Sequence, residues 1–581
     1  MPHDSTGPES EIADRILLLA GRASLSVPLA RRSRYDGYTV YRPNGSRVEA
    51  IKIFDSIEIF GERKVARVCQ EDFSKATIVY DDGLEVTYAL VKSRSAPMML
   101  VSTNTPIAGR IRLDTRHLYD NLPFHKTYGL TGQGVSYAVD FEKVNADRAA
   151  SEYDLRIRYS IGFSKGATVV GRDEWLRLYN AFDDQRADHP SEHYVYVPLQ
   201  FADTSEIAVS LSGRAMTRKL EPAGALVFSR ESAYRFASMQ LRSSFVALRG
   251  RQVSLSAGYP WFFQMWARDA AISMGGLFAL DMPEAERVLF SLLESSSESS
   301  IAHTDSLRSA DGLPFLFMRV LERFDSLSSS RRRMVRDRLR DYLGLLEREY
   351  RDGALFFNGP LETWMDTGDG FRAGFSVEIQ CLMLRMYELA ERCGIRDLRL
   401  SRDEIGDAIR TQFFDSTNGR LVDHLSRDWE AYAYDTVNVF LAAYIAPEIL
   451  TREEWCVVFE HALAELSNGP PGILSSLSSG SPLFQAHHTG LDNVSYHRGD
   501  SWYFMNNIAA IVLSRTDAER FATQIDGIVA ASVRDCLEQG AIGACSEISS
   551  ACEQRSFGCY AQTWSAATLV ELFAHHPELL R

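Results

Sequence analysis

The sequence lacks the defining features of several common protein classes. It has no run approaching the roughly 18 consecutive apolar residues of a membrane-spanning helix. Acidic residues outnumber basic ones by 77 to 63, and the net charge of −14 argues against nucleic acid or an anionic membrane as a partner. Residues 1–10 contain neither a basic segment nor an apolar core, so we expect no signal peptide. The remaining expectation is a globular protein that suits a neutral, hydroxyl-rich substrate.

Cysteine is also scarce, with eight in 581 residues and no C-x-x-C pair. Cys545, Cys552 and Cys559 cluster in the sequence, but their wide, even spacing matches no common zinc pattern. We therefore expect reduced thiols in a cytoplasmic protein that uses no metal and no organic cofactor.

Length and patterning predict two domains. A chain of 581 residues exceeds what a single hydrophobic core usually organises. Residues 1–235 consist mainly of short alternating segments joined by tight turns, which predicts an antiparallel β-sandwich. Residues 240–581 change to helical periodicity, which predicts an all-α domain with room for about twelve ordinary helices.

The individual elements follow from the same patterns. The predicted strands are Ser56–Phe60, Thr77–Tyr80 and Leu84–Tyr88 (a hairpin), Val135–Phe141, Leu155–Ile161, His193–Phe201, Ile207–Leu211 and Ala225–Ser229. One helix, Asp173–Phe182, is predicted among them. The predicted helices of the second domain include Ala270–Leu280, Val377–Arg392, Arg402–Gln412, Asn438–Ile445, Glu453–Leu466, Met505–Leu513, Phe521–Glu538 and Ala561–Phe573.

A first motif, Gly258–Asp269, combines a Gly-Tyr-Pro turn with Trp261, Trp266, Arg268 and Asp269. Asp269 could be a helix cap, because a helix N-terminus is electropositive. Alternatively, the tryptophans could pack on a sugar ring, while Arg268 donates hydrogen bonds to neighbouring hydroxyl groups and Asp269 accepts hydrogen bonds from them. The residues alone leave both interpretations open.

A second motif, Glu362–Ile379, places Trp364, Asp366 and Glu378 in a glycine-rich loop before a helix. Such a loop suits a functional site on a rigid scaffold, although a solvated acidic loop is an equally simple interpretation. Glu378 could contact substrate, support the site from behind, or interact with the helix dipole.

Two further motifs lie near the C-terminus. The third, Leu491–Trp502, contains Tyr496, His497 and Trp502, where His497 could be a structural histidine or a sugar contact. The fourth, Ser546–Ser565, contains Glu547. Five of the eight tryptophans fall inside the four motifs, a clustering that a glucan pocket would use and a hydrophobic core would not require.

Together the motifs resemble the amylo-α-1,6-glucosidase domain of glycogen debranching enzymes, a relative of the glucoamylases. That family carries G-Y-P-W-F-x-x-W-G-R-D, T-W-M-D followed by P-V-E-I, Y-H-x-G-T-V-W, and S-E-I followed by G-C-x-A-Q-x-W-S. This chain departs from the pattern at Ala267, at Asp500-Ser501 and over residues 549–556. The strong resemblance covers Ala257–Phe573, and the first domain matches only in being β-rich.

The resemblance implies a β-sandwich followed by an (α/α)6 barrel, with Asp366 as general acid and Glu547 as general base. It implies that substrate is bound by Trp261, Trp266, Arg268, Asp269, Trp364, Glu378, Tyr496, His497 and Trp502. The implied activity is inverting hydrolysis of α-1,6 stubs on glycogen or related α-glucans. The alternatives are an exo-acting α-1,4-glucosidase of glucoamylase type and a non-catalytic glucan-binding protein, against which the retention of both carboxyl groups argues.

Overall fold

A computed structural model describes residues 13–45, 47–91, 97–145, 153–248, 252–295, 309–367 and 370–581. Residues 1–10, where no signal peptide is expected, lie outside this range. The chain divides into two compact units. The first unit comprises Met1–Gln264, Arg534–Cys545 and Cys559–Ala561, and the second comprises Met265–Val533, Ser546–Gly558 and Gln562–Arg581. The first unit therefore extends beyond the change from strands to helices that we predict at residues 235–240.

The strands, numbered along the chain, are β1 Arg15–Leu19, β2 Ala23–Pro28, β3 Gly37–Asn44, β4 Arg47–Phe54, β5 Ser56–Ile59, β6 Val65–Cys69, β7 Lys75–Tyr80, β8 Glu85–Val91, β9 Met98–Arg112, β10 Arg116–His117, β11 Lys126–Gln133, β12 Ser136–Lys143, β13 Leu155–Phe163, β14 Thr168–Tyr179, β15 Glu192–Ser210, β16 Phe245–Ala247, β17 Val253–Leu255, β18 Gly258–Tyr259, β19 Arg351–Asp352, β20 Leu355–Phe356, β21 Phe375–Ser376, β22 Phe414–Asp415, β23 Arg420–Leu421, β24 His424–Leu425, β25 Ser501–Trp502, β26 Ala541–Ile542, β27 Ile548–Ser549 and β28 Ala561–Gln562.

The α-helices are α1 Ala181–Gln185, α2 Arg230–Ser243, α3 Ala267–Ala279, α4 Pro283–Ser295, α5 Gly312–Arg323, α6 Ser329–Glu349, α7 Val377–Cys393, α8 Arg402–Phe413, α9 Asn438–Ile445, α10 Arg452–Leu466, α11 Tyr503–Asp517, α12 Ala522–Glu538 and α13 Thr563–His575. The eight predicted helices of the second domain are confirmed, most to within a few residues. Among the described residues, no helix combines the length and apolar character needed to cross a bilayer.

The first unit is a sandwich of two sheets. One sheet has the order β10-β4-β3-β2-β1-β26, and the other has β11-β12-β13-β15-β9-β8-β7-β6, with β14 pairing to β15 and β5 to β9. The pairings are antiparallel except for β1 with β26. Buried side chains from both sheets, such as Ile16 and Ile51 from one and Val86 and Val101 from the other, form one core. The predicted sandwich is confirmed.

Two local predictions in the first unit are wrong. Asp173–Phe182 is mainly the edge strand β14, and only Ala181–Gln185 is helical. This segment pairs along β15, and Arg177 forms an ion pair with Glu192 of that strand. The segment Ala225–Ser229 is irregular and ends as the cap of α2, where Ser229 accepts a hydrogen bond from the Ser232 backbone.

The second unit is built on a ring of helices. Among the described residues, α3 contacts α5, α5 contacts α7, α7 contacts α9, α9 contacts α11, α11 contacts α13, and α13 contacts α3. The helices α4, α6, α8 and α10 pack on this ring. Gly276 allows the close approach of α3 to α13, since a Cβ there would collide with the Ala567 carbonyl. Because an intervening helix returns the chain each time, the ring helices run in one direction and their N-terminal ends lie together.

Candidate active site

The functional motifs precede or open ring helices at that common end. Helix α3 begins at Ala267 in the first motif, and α7 begins at Val377 in the second. Helices α11 and α13 begin at Tyr503 and Thr563, after the third and fourth motifs. The pairing of β25 with β27 ties the third motif to the fourth, with Trp502 opposite Ile548. The fold thus brings residues that are almost 300 positions apart in the sequence to one place.

Arg268 links the first motif to the second. Its Nε lies 2.8 Å from Asp311 Oδ2, its Nη1 lies 3.2 Å from Asp366 Oδ2, and its Nη2 donates to the Thr363 carbonyl at 2.9 Å. The Arg268 side chain is 3% exposed, whereas Asp366 is 25% exposed. Burial lowers the pKa of Arg268, but Asp311 and Asp366 outweigh it, so that the pKa is raised. The guanidinium therefore remains charged and orients the Asp366 carboxylate.

His497 approaches Asp366 from the third motif. Its Nε2 lies 3.6 Å from Asp366 Oδ1. The imidazole stacks on Trp502 at 5.0 Å between ring centroids, and Trp364 meets it edge-on at 5.2 Å. Burial lowers the pKa of His497, although the nearby Asp366 opposes this shift. The ring is therefore neutral near pH 7 and is fixed in place by aromatic neighbours.

Glu547 is held by the residue next to His497. The Tyr496 hydroxyl donates a hydrogen bond to Glu547 Oε1, and Glu547 is buried. Gly558 adopts a left-handed φ of +67°, and a Cβ at that position would collide with Glu547 Oε2. The irregular loop between Ile548 and Gly558 therefore closes against the carboxylate.

Asp269 interacts electrostatically with the carboxyl groups of Asp366 and Glu547. Helix α3 has Trp266 as its N-cap, so Asp269 is the third helical residue and the capping interpretation is wrong. Gln562 Nε2 donates to Asp269 Oδ1 at 3.3 Å. Burial raises the pKa of Asp269 to about 7, with further increases from Glu547 and Asp366 and an opposing effect of Arg268. Three carboxyl groups thus share one electrostatic cluster, which holds a proton near neutral pH.

Glu378 lies behind this cluster. It is fully buried, and its two oxygens accept from Arg372 Nη1 and Nη2 at 2.6 and 2.7 Å. Arg372 also pairs with Asp423 at 2.8 Å and donates to the Thr363 hydroxyl at 3.1 Å. Of the three interpretations of Glu378, this geometry favours support of the second motif.

The same network reaches Trp364. Its indole Nε1 donates to Asn438 Oδ1 at 2.6 Å, and Asn438 Nδ2 donates to Asp423 Oδ1 at 2.9 Å. The residues that hold the second motif therefore come from α9 and from the segment before it, as well as from the motif itself.

Trp261 and Trp266, the other two tryptophans that are predicted to bind substrate, belong to different units. Trp266 is half-buried at the start of α3, next to Arg268 in space and sequence. Trp261 belongs to the first unit, where its ring lies 5.1 Å from those of Tyr35 and Tyr560 and 4.3 Å below the Arg186 guanidinium. Its contact with substrate stays a prediction.

Sequence reasoning missed four residues of this arrangement. They are Asp311, Arg372, Asp423 and Asn438. The sequence Asp311-Gly312-Leu313-Pro314 gave a signal for the first, because it resembles glucoamylases. None of the eight cysteines, all of which the structure describes, forms a disulfide.

Comparisons with known proteins identify a similar family. Residues 340–571 match the family described as amylo-alpha-1,6-glucosidase, which is less than half of the chain and includes Asp366, Glu378, Tyr496, His497 and Glu547. The predicted resemblance is confirmed over these residues. The comparison with curated proteins gives no match.

Solved structures give the fold. A bacterial glucoamylase complexed with acarbose is 12% identical, covers 99% of this chain and 96% of its own, and superposes with a TM-score of 0.63. A mannosylglycerate hydrolase of glycoside hydrolase family 63 from Thermus thermophilus, in complex with glucose, is 15% identical and covers 59% of this chain and 99% of its own, with a TM-score of 0.43. The first likeness shows that the chain has a glucoamylase-like fold over both units, which confirms the predicted fold class.

Proposed function

We propose that the protein is an inverting glycoside hydrolase that releases glucose from α-1,6 branch stubs of glycogen or a related α-glucan in the cytoplasm. The observation that carries the proposal is the convergence of Asp366 and Glu547, from separate loops, on the buried Arg268–Asp269 pair. Glycoside hydrolysis requires a pair of carboxyl groups, one to donate and one to accept a proton. The matched family supplies the α-1,6 linkage.

Asp366 is the proposed general acid. Its protonated carboxyl gives a proton to the glycosidic oxygen as the bond from that oxygen to the anomeric carbon breaks. Its partial exposure supports this role, since the proton must reach an oxygen of the substrate. Arg268 and His497 flank its two oxygens and fix the direction in which the carboxyl group points. The raised pKa of Asp269 keeps a proton within the carboxyl cluster near neutral pH.

Glu547 is the proposed general base. Ionised, it removes a proton from a water molecule that attacks the anomeric carbon from the opposite face of the ring. The Tyr496 hydroxyl donates to Glu547 Oε1 and thereby holds the carboxylate in position. An inverting mechanism implies roughly 6.5–9.5 Å between the two carboxyl groups, and it requires no metal and no organic cofactor.

The terminal glucose is proposed to lie against Arg268 and Asp269. The half-buried Trp266 offers a flat apolar face for the C–H side of the ring, with a polar edge for hydroxyl groups. A buried site of this kind selects strongly for its own ligand, because a substrate lacking a hydroxyl leaves buried polar groups unpaired.

An exo-acting α-1,4-glucosidase is the second candidate. The likeness to a glucoamylase complexed with acarbose favours it, as does the segment Asp311–Pro314, which resembles glucoamylases. The acid and base would be the same in both enzymes, so the two candidates differ only in the linkage that the pocket accepts.

Product analysis separates these candidates. Purified protein is given panose, maltose and a branched limit dextrin, and glucose is followed together with its anomeric form by proton NMR. We expect faster release from α-1,6-linked ends, with β-glucose as the first product. Faster cleavage of maltose would favour the second candidate, an initial α-anomer would indicate a covalent intermediate, and the absence of glucose would leave a glucan-binding protein.

A further inference from the structure

The strand pair β14–β15 in the first unit carries an aromatic face. Trp175 lies opposite Tyr196, Arg177 opposite Tyr194, and Tyr179 opposite Glu192. Side chains two residues apart on a strand point to the same face, and directly paired residues share that face. Trp175 and Tyr179 are separated by four residues and therefore span about 13 Å along the strand.

Three rings of this face are left open to solvent. Trp175 is 43% exposed, Tyr194 is 45% exposed and Tyr179 is 56% exposed. Large aromatic side chains that stay exposed together on one face indicate a contact surface. Rings of this type offer a flat apolar area with a polar edge, which is the complement of a pyranose ring.

The rings are held in place by neighbours. Trp175 lies 5.2 Å from Tyr196 and 5.9 Å from Tyr128, and those two tyrosines stack on each other at 4.7 Å. The Tyr179 hydroxyl donates to Asp184 Oδ2 at 2.8 Å. A ring that is already oriented loses little conformational entropy when a ligand stacks on it.

A cavity of about 150 Å³ adjoins this face. Arg177, Glu192 and Tyr194 line it from the strand pair, and Arg34, Asp114 and Lys126 are among its other lining residues. Both donors and acceptors line the cavity, and a ligand with many hydroxyl groups needs both. Arg34 is buried, and its Nε has no hydrogen-bond partner among the described residues.

Each charged side chain that lines the cavity already has an ion-pair partner, which favours a neutral ligand over an anion. Arg177 pairs with Glu192, and Lys126 lies 2.7 Å from Asp114 Oδ1. Asp114 also faces Lys52, whose Nζ lies 3.2 Å from Asp114 Oδ2 and 2.8 Å from Asp55 Oδ1. The group Asp55, Asp114 and His193 has the spacing of a metal site, but its carboxylates already pair with cationic side chains, namely Lys52 with both, Arg32 with Asp55 and Lys126 with Asp114.

We propose that the aromatic face of Trp175, Tyr179 and Tyr194, with its adjoining cavity, is a second carbohydrate-binding site that takes a segment of an α-glucan chain. The identity of the ligand as an α-glucan rests on the proposed function, whereas binding at this site is independent of hydrolysis. The site lies within the first unit and would hold polymeric substrate without touching the reacting bond.

Affinity electrophoresis of the full chain in gels with and without glycogen tests the proposal. We expect Trp175→Ala and Tyr194→Ala each to weaken the retardation by glycogen about tenfold, the cost of truncating an aromatic anchor. Phe228→Ala, which removes a ring of 59% exposure from another part of the first unit, should behave like the unaltered protein. Both site variants should keep their melting temperature and their kcat/KM on panose, with a raised KM on glycogen alone.

The outcomes separate this proposal from the proposed function. If the protein releases no glucose but Trp175→Ala still abolishes retardation, the second site stands and the hydrolase assignment fails. Equal retardation of all four proteins would overturn the second site, whatever the enzyme activity. Displacement of glycogen by inorganic phosphate but not by maltoheptaose would overturn it too, because the cavity would then be an anion site.

Discussion

Arg268 and Arg372 are two buried arginines that donate hydrogen bonds to different atoms of the same residue, Thr363. Arg268 donates to the Thr363 carbonyl, and Arg372 donates to its hydroxyl. Both guanidinium groups are charged and each faces two carboxylates. They differ in where those carboxylates lead. Both partners of Arg372 are fully buried, whereas Arg268 has one buried partner and one, Asp366, that is 25% exposed.

This difference in exposure distinguishes a structural network around Arg372 from a network around Arg268 that belongs to the candidate active site. A buried charge is tolerated only when its partners compensate the loss of hydration, and the Arg372 network satisfies that condition without reaching the surface. The Arg268 network reaches the surface at Asp366, so part of its hydrogen-bonding capacity is directed at whatever occupies the pocket. Substitutions around Arg372 should therefore act on stability, and those around Arg268 on turnover.

The largest expected effect is at the two catalytic carboxyl groups. Asp366→Asn and Glu547→Gln should each lower kcat by about 100- to 10,000-fold, because each removes a group that transfers a proton in the transition state. Glucose release from panose measures the loss. Glu553→Gln, an exposed glutamate in the same loop as Glu547, is the matched control and should keep full activity. A variant with normal turnover and normal melting would contradict the assigned role.

The next effect concerns stability. Glu378→Gln should destabilise the second unit by about 3–5 kcal/mol, since it removes one partner of a buried ion pair and leaves Arg372 undercompensated. Denaturant unfolding followed by circular dichroism measures the change. The folded fraction should retain most of its activity at low temperature. Unchanged stability with abolished turnover would instead place Glu378 in contact with substrate.

A smaller effect is expected at Arg268. Arg268→Lys should lower kcat/KM by roughly 10- to 100-fold, because one ammonium cannot reach Asp311, Asp366 and the Thr363 carbonyl as the planar guanidinium does. Arg287→Lys, an exposed arginine of α4, is the control. The comparison is sharpened by Arg372→Lys, for which the melting temperature should fall more than kcat/KM.

The sequence predicts the helices and strands better than the side-chain contacts between residues that lie far apart in the chain. The bounds of helix α9 are predicted to the residue. Asn438–Ile445 is a short and mostly apolar segment, and all of its residues are buried. Strand β14 is missed, since most of its side chains are exposed and its sequence lacks the apolar alternation of a half-buried strand. The motifs identify Asp366 and Glu547 as candidates through local patterns. Arg372, Asp423 and Asn438 form no local pattern, and only the ring of helices brings them together.

The last expected effect concerns pH, and it tests the electrostatics of the site most directly, at Asp269. Its pKa is raised from 3.8 to about 7 in the folded protein, with burial as the largest cause. Between those values the folded chain holds a proton that the unfolded chain has lost, so this group makes stability fall as pH rises through that window. Asp269→Asn keeps the acceptor for Gln562 and removes the titration. The variant should therefore gain stability relative to the unaltered protein from about pH 4 to about pH 7, measured by urea unfolding at several pH values.

Asp281→Asn, at the exposed end of α3, should show no such change. A constant difference in stability across this range would mean that Asp269 does not titrate between these values, and its burial would then not control its protonation.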